Sequence, residues 1–367
     1  MFAENRKISL RQLQILLLLD SFGTVVLFLP AELAQISGRG CWAAALVGSL
    51  AFAAAALLLT MAGSKMPEGT VAEWCRFCFG DLIGTVVLVG LAGKLLFDGM
   101  IELRLFSEVA CRTMLPNTPV WVISLVILAV AGALAAQGIE CRGRAAEILF
   151  FVVVVPLVIV LLAVAVSARF ERVLPLALPP FVGLKKGIGA MSVVFQGLTF
   201  LYFIFPALRK PVPAKGAVLK SALTTAVLAS IIVFLCLAVY GEGVLSEKLL
   251  PTLQMMERVS FSGIFLTRQD ILFLWFWMAS VCIFLSGVLF YGSLLGVRLR
   301  RQPETKRKNW LWVCLLAVFA ASFLPENLSE AHRLRMQIAP WMNLFYLIIL
   351  PMLLLLLAWR KGGRKDA

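Results

Sequence analysis

Apolar runs of about 20 residues, the length of helix that crosses a hydrocarbon layer, recur from one end of this chain to the other. Between them lie short stretches where Lys, Arg, Pro and Asn collect. The pattern predicts helices over residues 11–32, 41–62, 82–103, 119–137, 146–166, 188–207, 219–240, 271–296, 310–325 and 338–359. The first run follows Arg6, Lys7 and Arg11 and so has the outline of a signal peptide. Pro30, Glu32 and Arg39 follow it with no small-residue cleavage pattern, so it reads as the first span.

Composition narrows the class. With 61% hydrophobic residues, 15% charged residues and a mean hydropathy of +0.94, a water-soluble protein is excluded. The expected fold is an all-α integral membrane protein of about ten transmembrane helices, forming a single polytopic domain over residues 1–367. With the N-terminus inside, the cytoplasmic segments collect 21 of the 34 basic residues against 12 in outward loops. That bias puts both termini on the cytoplasmic side. The net charge of +14 then expresses topology and attraction to the lipid membrane, and calls for no nucleic acid. The eight cysteines are scattered, mostly in or beside apolar runs, as small buried hydrophobes are. Cys75 and Cys78 form a lone CxxC pair and His332 is the only histidine, too few ligands for a zinc site, and nothing in the sequence calls for a cofactor.

Two outward loops are long. In 167–186, Pro175, Pro179 and Pro180 exclude a regular helix and predict an extended segment. In 241–270, Leu249, Leu250, Leu253, Met256 and Val259 recur at near-helical spacing among Glu247, Lys248, Glu257 and Arg258, which predicts an amphipathic helix lying in the membrane interface, with a partner-binding surface as the alternative.

Polar positions inside the spans are few, and two groups of them match. The first span carries Ser21-Phe22-Gly23-Thr24 at its middle and ends in Pro30-Ala31. The sixth carries Gln196-Gly197-Leu198-Thr199 and ends in Pro206-Ala207. Glycine weakens a helix by about 1 kcal/mol, and freed backbone groups at membrane depth are tolerated only where protein or a cavity satisfies them. Standing five spans apart, the two segments predict a 5+5 inverted repeat, about 11–166 and 188–359, with helices one and six broken around a small-solute site. Close helix packing by small residues is the plainer account.

Lys94, Asp98 and Glu102 follow at i, i+4 and i+8 on the third span, one stripe on the helix. A charge at the bilayer centre costs at least about 2.5 kcal/mol, so the stripe faces the bundle interior, with Lys94 and Asp98 as the obvious pair. It is either an internal salt bridge or a polar pathway for water, protons or solute. Asp20, immediately before the first break, either joins that pathway or caps the half-helix that follows.

Further local signatures run along the chain: Lys7-Ile8-Ser9 with Arg11-Gln12, Leu29-Pro30, Leu115-Pro116-Asn117-Thr118-Pro119, Gly138-Ile139-Glu140 with Arg144 and Glu147-Ile148, Pro251-Thr252-Leu253-Gln254-Met255, Arg268-Gln269-Asp270 and Phe276-Trp277. In order and spacing they resemble the spore-germination permease family, the B subunit of bacterial nutrient germinant receptors, within the amino acid, polyamine and organocation (APC) transporter superfamily. The resemblance implies a LeuT/APC-like bundle, broken at helices one and six around a central pocket. It also implies a spore inner-membrane location, with A-type and C-type receptor subunits as partners. Carried over by position, Gly23, Thr24, Gln196, Gly197 and Thr199 would line the pocket, with Ser280 or Ser286 contributing from span eight. Members of the family often carry an acidic residue in the sixth-helix break, where this chain has Gln196-Gly197.

The expected function is therefore a nutrient-sensing receptor subunit. Amides freed at Gly23 and Gly197 would bind an amino acid's carboxylate, and Phe22, Leu198 and Tyr202 would select its side chain. The rival is a proton-coupled amino-acid transporter with Asp98 or Glu102 as carrier. An enzyme is third, since no nucleophile and base are arranged for one.

Overall fold

The computed structural model describes residues 7–23, 25–66, 69–208, 214–257 and 269–360. Thr24 and Val259, singled out above, lie outside them. The described residues are almost wholly helical, and the one strand-like pairing among them is a parallel bridge in which the Ile8 N–H donates to the Ala207 carbonyl at 2.9 Å.

The chain runs through α1 (Leu10–Ser21), α2 (Val25–Ser37), α3 (Cys41–Lys65), α4 (Val71–Thr113), α5 (Val120–Gln137) and α6 (Ile139–Ser167). It continues as α7 (Phe181–Met191), a 3-10 turn (Gln196–Phe200), α8 (Leu201–Ile204), α9 (Ala214–Tyr240), α10 (Glu242–Glu247) and α11 (Pro251–Glu257). Last come α12 (Gln269–Leu299), α13 (Arg307–Ala321), α14 (Leu328–Leu344), a π turn (Phe345–Ile349) and α15 (Leu350–Arg360). Seven helices among the described residues are long and apolar enough to cross a membrane, and the bent pair Phe181–Met191 and Gln196–Ala207 is an eighth candidate. The segments expected at 11–32 and 310–325 fold as α1 with α2 and as the 15-residue α13.

Local chemistry sets the helix starts. Ser9 and Gln12 form a reciprocal capping box at α1, with Ser9 Oγ accepting from the Gln12 N–H (3.1 Å) and Gln12 Oε1 from the Ser9 N–H (3.0 Å). Thr70 and Glu73 do the same for α4. α1 is apolar on nearly every side and buried from Ile15 to Ser21, as expected of a helix at the centre of a bundle. The outer helices are reversed relative to a soluble protein, with Val166 (91% exposed), Trp359 (78%) and Trp312 (65%) standing out from α6, α15 and α13. Such a continuous apolar surface would drive aggregation in water and suits a hydrocarbon solvent.

Three expectations are corrected. The segment read as an interfacial helix is drawn inward instead: Thr252, Leu253, Met255 and Met256 of α11 are all buried. The Thr252 hydroxyl donates to the Val26 carbonyl at 2.7 Å, the acceptor that Pro30, having no N–H, leaves free within α2, and so ties α11 to that helix. The sixth span begins at Phe181 instead of 188, because the extended stretch ends at Pro180, which serves as the helix N-cap. Finally, the charge count above places Arg142 in a cytoplasmic segment and Arg335 in an outward loop, whereas both are buried inside the bundle.

Candidate functional site

Both expected breaks exist, and they touch. α1 stops at Ser21 and α2 starts at Val25. α7 stops at Met191, and residues 192–200 continue as tight turns in which each N–H reaches back about three residues, bending the span by 52°. A Cβ added at Gly197 would come within 2.8–2.9 Å of the Asp20 Cβ, carbonyl carbon and carbonyl oxygen. The sixth-span break thus lies directly on the last turn of α1, an approach that only a residue without a side chain permits.

The carbonyls freed at the first break are taken up by side chains. Ser280 Oγ donates to the Leu19 and Phe22 carbonyls (2.7 and 2.8 Å), and Trp277 Nε1 donates to the Gly23 carbonyl (2.9 Å). One face of α12 therefore replaces the missing helical hydrogen bonds of span one. A buried acceptor left unsatisfied costs about 1–3 kcal/mol. Ser280→Ala is accordingly expected to destabilise the purified protein by that amount in detergent unfolding, more than Ser293→Ala, whose hydroxyl bonds to the Phe290 carbonyl within its own helix.

Three buried ion pairs surround the breaks. Asp20, at the end of α1, meets Arg142 of α6 (Nη2 to Oδ1 3.0 Å), and both side chains are fully buried. Arg142 also donates to Ser286 Oγ (2.8 Å), the Tyr291 hydroxyl (3.1 Å) and the Ile283 carbonyl (3.1 Å), and its guanidinium lies over the Phe200 and Tyr291 rings. It therefore joins α1, α6 and α12 and packs on the sixth-span break, with its charge neutralised and its donors engaged. Asp20 is thus an ion-pair partner of Arg142. Lys94 and Asp98 pair on α4 as expected. Glu102 does not close that stripe on itself: its carboxylate bonds to Arg335 of α14 and lies against Gly23, where an added Cβ would come within 2.5 Å of Glu102 Oε1.

α14 bonds to both broken spans. His332 Nε2 bonds to Glu32 Oε1 of α2 (2.6 Å), with the His332 ring stacked on Phe28. Asn343 Nδ2 donates to the Ser192 carbonyl (3.1 Å) in the sixth-span break.

Of the residues expected at the site, Asp20, Phe22, Gly23, Glu102, Gly197 and Ser280 meet at the junction of the breaks. Gln196, Leu198 and Thr199 are buried in the 3-10 turn, and the Thr199 hydroxyl has no hydrogen-bond partner among the described residues. Ser286 sits on Arg142. Tyr202 lies further along its span, where its hydroxyl donates to the Tyr346 carbonyl in the π turn (2.6 Å) and its ring meets the edge of Trp74. Sequence reasoning missed Arg142, Arg335, Trp277, Thr252 and Asn343. Trp277 and Thr252 stand in stretches that had already been singled out, whereas Arg142 and Arg335 looked like loop charges because each lies near the end of an apolar run. Among the described residues no three His, Cys, Asp or Glu side chains converge as a metal site would need.

Comparison with known proteins agrees with this architecture. The chain is 24% identical to spore germination protein YndE of Bacillus subtilis over the full length of both. It is 24% identical to spore germination protein B2 of the same organism over 88% of each chain, and 23% identical to spore germination protein GerQB of Bacillus cereus over 70% of this chain and 69% of that one. Among solved structures it superposes on MhsT, crystallised with L-phenylalanine, with a TM-score of 0.64 at 16% identity, covering 94% of this chain and 86% of MhsT. That likeness establishes a LeuT-type fold, the architecture in which two broken spans meet. The family profile described as spore germination protein matches residues 7–331, so this chain belongs to the spore germination permease family.

Proposed function

We propose that this protein is the nutrient-sensing membrane subunit of a spore germination receptor and that it binds an amino acid where the breaks of spans one and six meet. The observation that carries this reading is the junction itself: Gly197 against Asp20 and Gly23 against Glu102, at positions buried on every side. Regular helices would satisfy their own backbone. Two adjoining interruptions, stabilised by side chains from α12 and α14, are difficult to explain as packing alone and suit a small polar guest. The family supports the sensing role, and the L-phenylalanine held by MhsT supports the solute class. On this reading the protein spans the spore inner membrane with both termini inside, and A-type and C-type subunits read the change that the ligand induces. The membership in a family of spore germination proteins supports a non-enzymatic role.

The test is a thermal-shift panel of amino acids on the detergent-purified protein. A true ligand at 100 times its Kd adds about 2.7 kcal/mol to the unfolding free energy, and should raise the melting temperature of wild type but not of Gly197→Trp. A panel without a shift, or an equal shift in the variant, overturns the reading.

The contact of Glu102 with the break keeps a second reading in play, a proton-coupled transporter with Glu102 or Asp98 as carrier. Uptake of labelled amino acid into proteoliposomes that collapses with a protonophore decides for it.

A further inference from the structure

A groove of about 370 Å³ with almost wholly apolar walls opens sideways from the bundle between α3, α6 and α9. α6 lines it with Val158, Leu161, Leu162 and Ala165, at i, i+3, i+4 and i+7, a single stripe on the helix. Phe234 of α9 and Trp42 of α3 stand among the facing walls. Leu161 is buried while Leu162 is 63% exposed, so the groove faces the hydrocarbon around the bundle. At 1.5 Å per residue the α6 stripe is about 11 Å long, most of the roughly 15 Å depth of one hydrocarbon leaflet.

The chemistry changes at the end of the groove where α3 starts and α6 and α9 stop. A 3-10 turn, Phe170–Val173, lies there, and Phe170 stacks on the groove's Phe234 with 6.2 Å between ring centroids. The Arg172 N–H donates to the Arg169 carbonyl (3.1 Å), and residues three apart on such a turn share a face, with Glu171 off it. Both arginine side chains are exposed. Arg172 donates to the Val239 carbonyl near the end of α9, and Arg169 forms no ion pair among the described residues. The buried indole N–H of Trp42, the second residue of α3, has no hydrogen-bond partner among the described residues, although such a donor ordinarily finds one.

We infer that this groove binds one anionic phospholipid: an acyl chain lies along the α6 stripe, Arg169 and Arg172 hold the phosphate, and the Trp42 N–H donates to an oxygen at ester depth. The inference goes beyond the amino-acid reading and does not depend on it. An apolar groove by itself selects nothing in a bilayer, where every lipid tail is equally apolar. Selection comes from the polar end. Guanidinium forks pair with phosphate oxygens, and each arginine near an anionic lipid strengthens binding by about fivefold. A choline headgroup carries its own cation and forfeits much of that attraction. With both termini inside, the site lies in the outer leaflet.

The probes are phosphatidylglycerol and phosphatidylcholine with matched acyl chains, offered together to the detergent-purified full chain, with retained lipid counted by native mass spectrometry. Wild type is expected to retain one phosphatidylglycerol per chain and to prefer it by about tenfold or more. The double variant Arg169→Gln with Arg172→Gln should bring that preference close to unity. Lys185→Gln with Lys186→Gln is the control, because it removes the same charge from exposed positions on α7. The adjoining Gly187 lies on Ala44, on the side of α3 opposite Trp42, so this variant should keep the wild-type preference. Ala165→Phe, which fills the mouth of the groove, should reduce retention of both lipids. No preference in wild type, as a face built for a partner protein would give, overturns the inference. Equal losses in the arginine and lysine variants also overturn it, since they would mean a diffuse surface charge. Undiminished retention in Ala165→Phe overturns the groove as the seat of the chain. Should that variant not fold, the arginine and lysine variants, all at exposed positions, decide. None of these outcomes bears on whether an amino acid binds at the breaks.

Discussion

Replacing Arg142 with Met is expected to destabilise this protein more than any other single change considered, by about 3–5 kcal/mol, because it leaves the Asp20 carboxylate buried without a counter-charge. The loss extends beyond one pair. Ser286 Oγ and the Tyr291 hydroxyl lose the guanidinium donor they accept from, the Ile283 carbonyl keeps only its bond from Ser286 of the two side-chain bonds it now accepts, and the Phe200 ring loses the cation that lies over it. The double variant Asp20→Asn with Arg142→Met removes both charges, so it should recover much of the stability lost by Arg142→Met alone. Unfolding in detergent, run as a double-mutant cycle, measures the coupling, which should fall within the 0.5–3 kcal/mol usual for contacting residues or above it. Additive effects would mean that the two charges are stabilised separately, and that the link between α1, α6 and α12 is packing alone.

The second large effect is expected at Gly197. An alanine Cβ there meets Asp20 at 2.8–2.9 Å, and two of the three nearest atoms are backbone, which cannot swing aside. Overpacking of this kind costs about 1–3 kcal/mol. Gly23→Ala supplies a contrast within the same site, since its Cβ would meet the end of the Glu102 side chain. That carboxylate can move, though only by lengthening its bond to Arg335. Gly197→Ala should therefore lower the melting temperature more than Gly23→Ala, while Gly23→Ala should disturb ligand preference more per degree lost. Equal melting temperatures for the two variants would contradict the close approach of the spans at Asp20.

α14 gives the arrangement a mechanical reading. Its bonds to Glu32, Glu102 and Ser192 touch the first broken span, the charged stripe of α4 and the second broken span.

How much of this could be read from the chain follows from the range of the interactions involved. Apolar runs of membrane-crossing length, the polar-Gly interruptions in spans one and six and the Lys94–Asp98 pair are all local, set by residues a few positions apart, and the sequence by itself determined them. The same locality explains the misreadings. Near-helical spacing at 249–259 is equally compatible with an interface and with a bundle interior, and only the Val26 carbonyl, 226 positions from Thr252, decided between them. Arg142 and Arg335 stand near the ends of apolar runs, where a long side chain can reach water or turn inward. Which it does depends on a carboxylate 122 or 233 positions away, at Asp20 or Glu102. Tertiary structure alone decided the partners of the buried charges, the donors that satisfy the broken backbone and the seating of Gly197 on Asp20. In a medium without water each of those groups needs a partner, and the partner is chosen by proximity in space, which hydrophobic patterning along the chain does not encode.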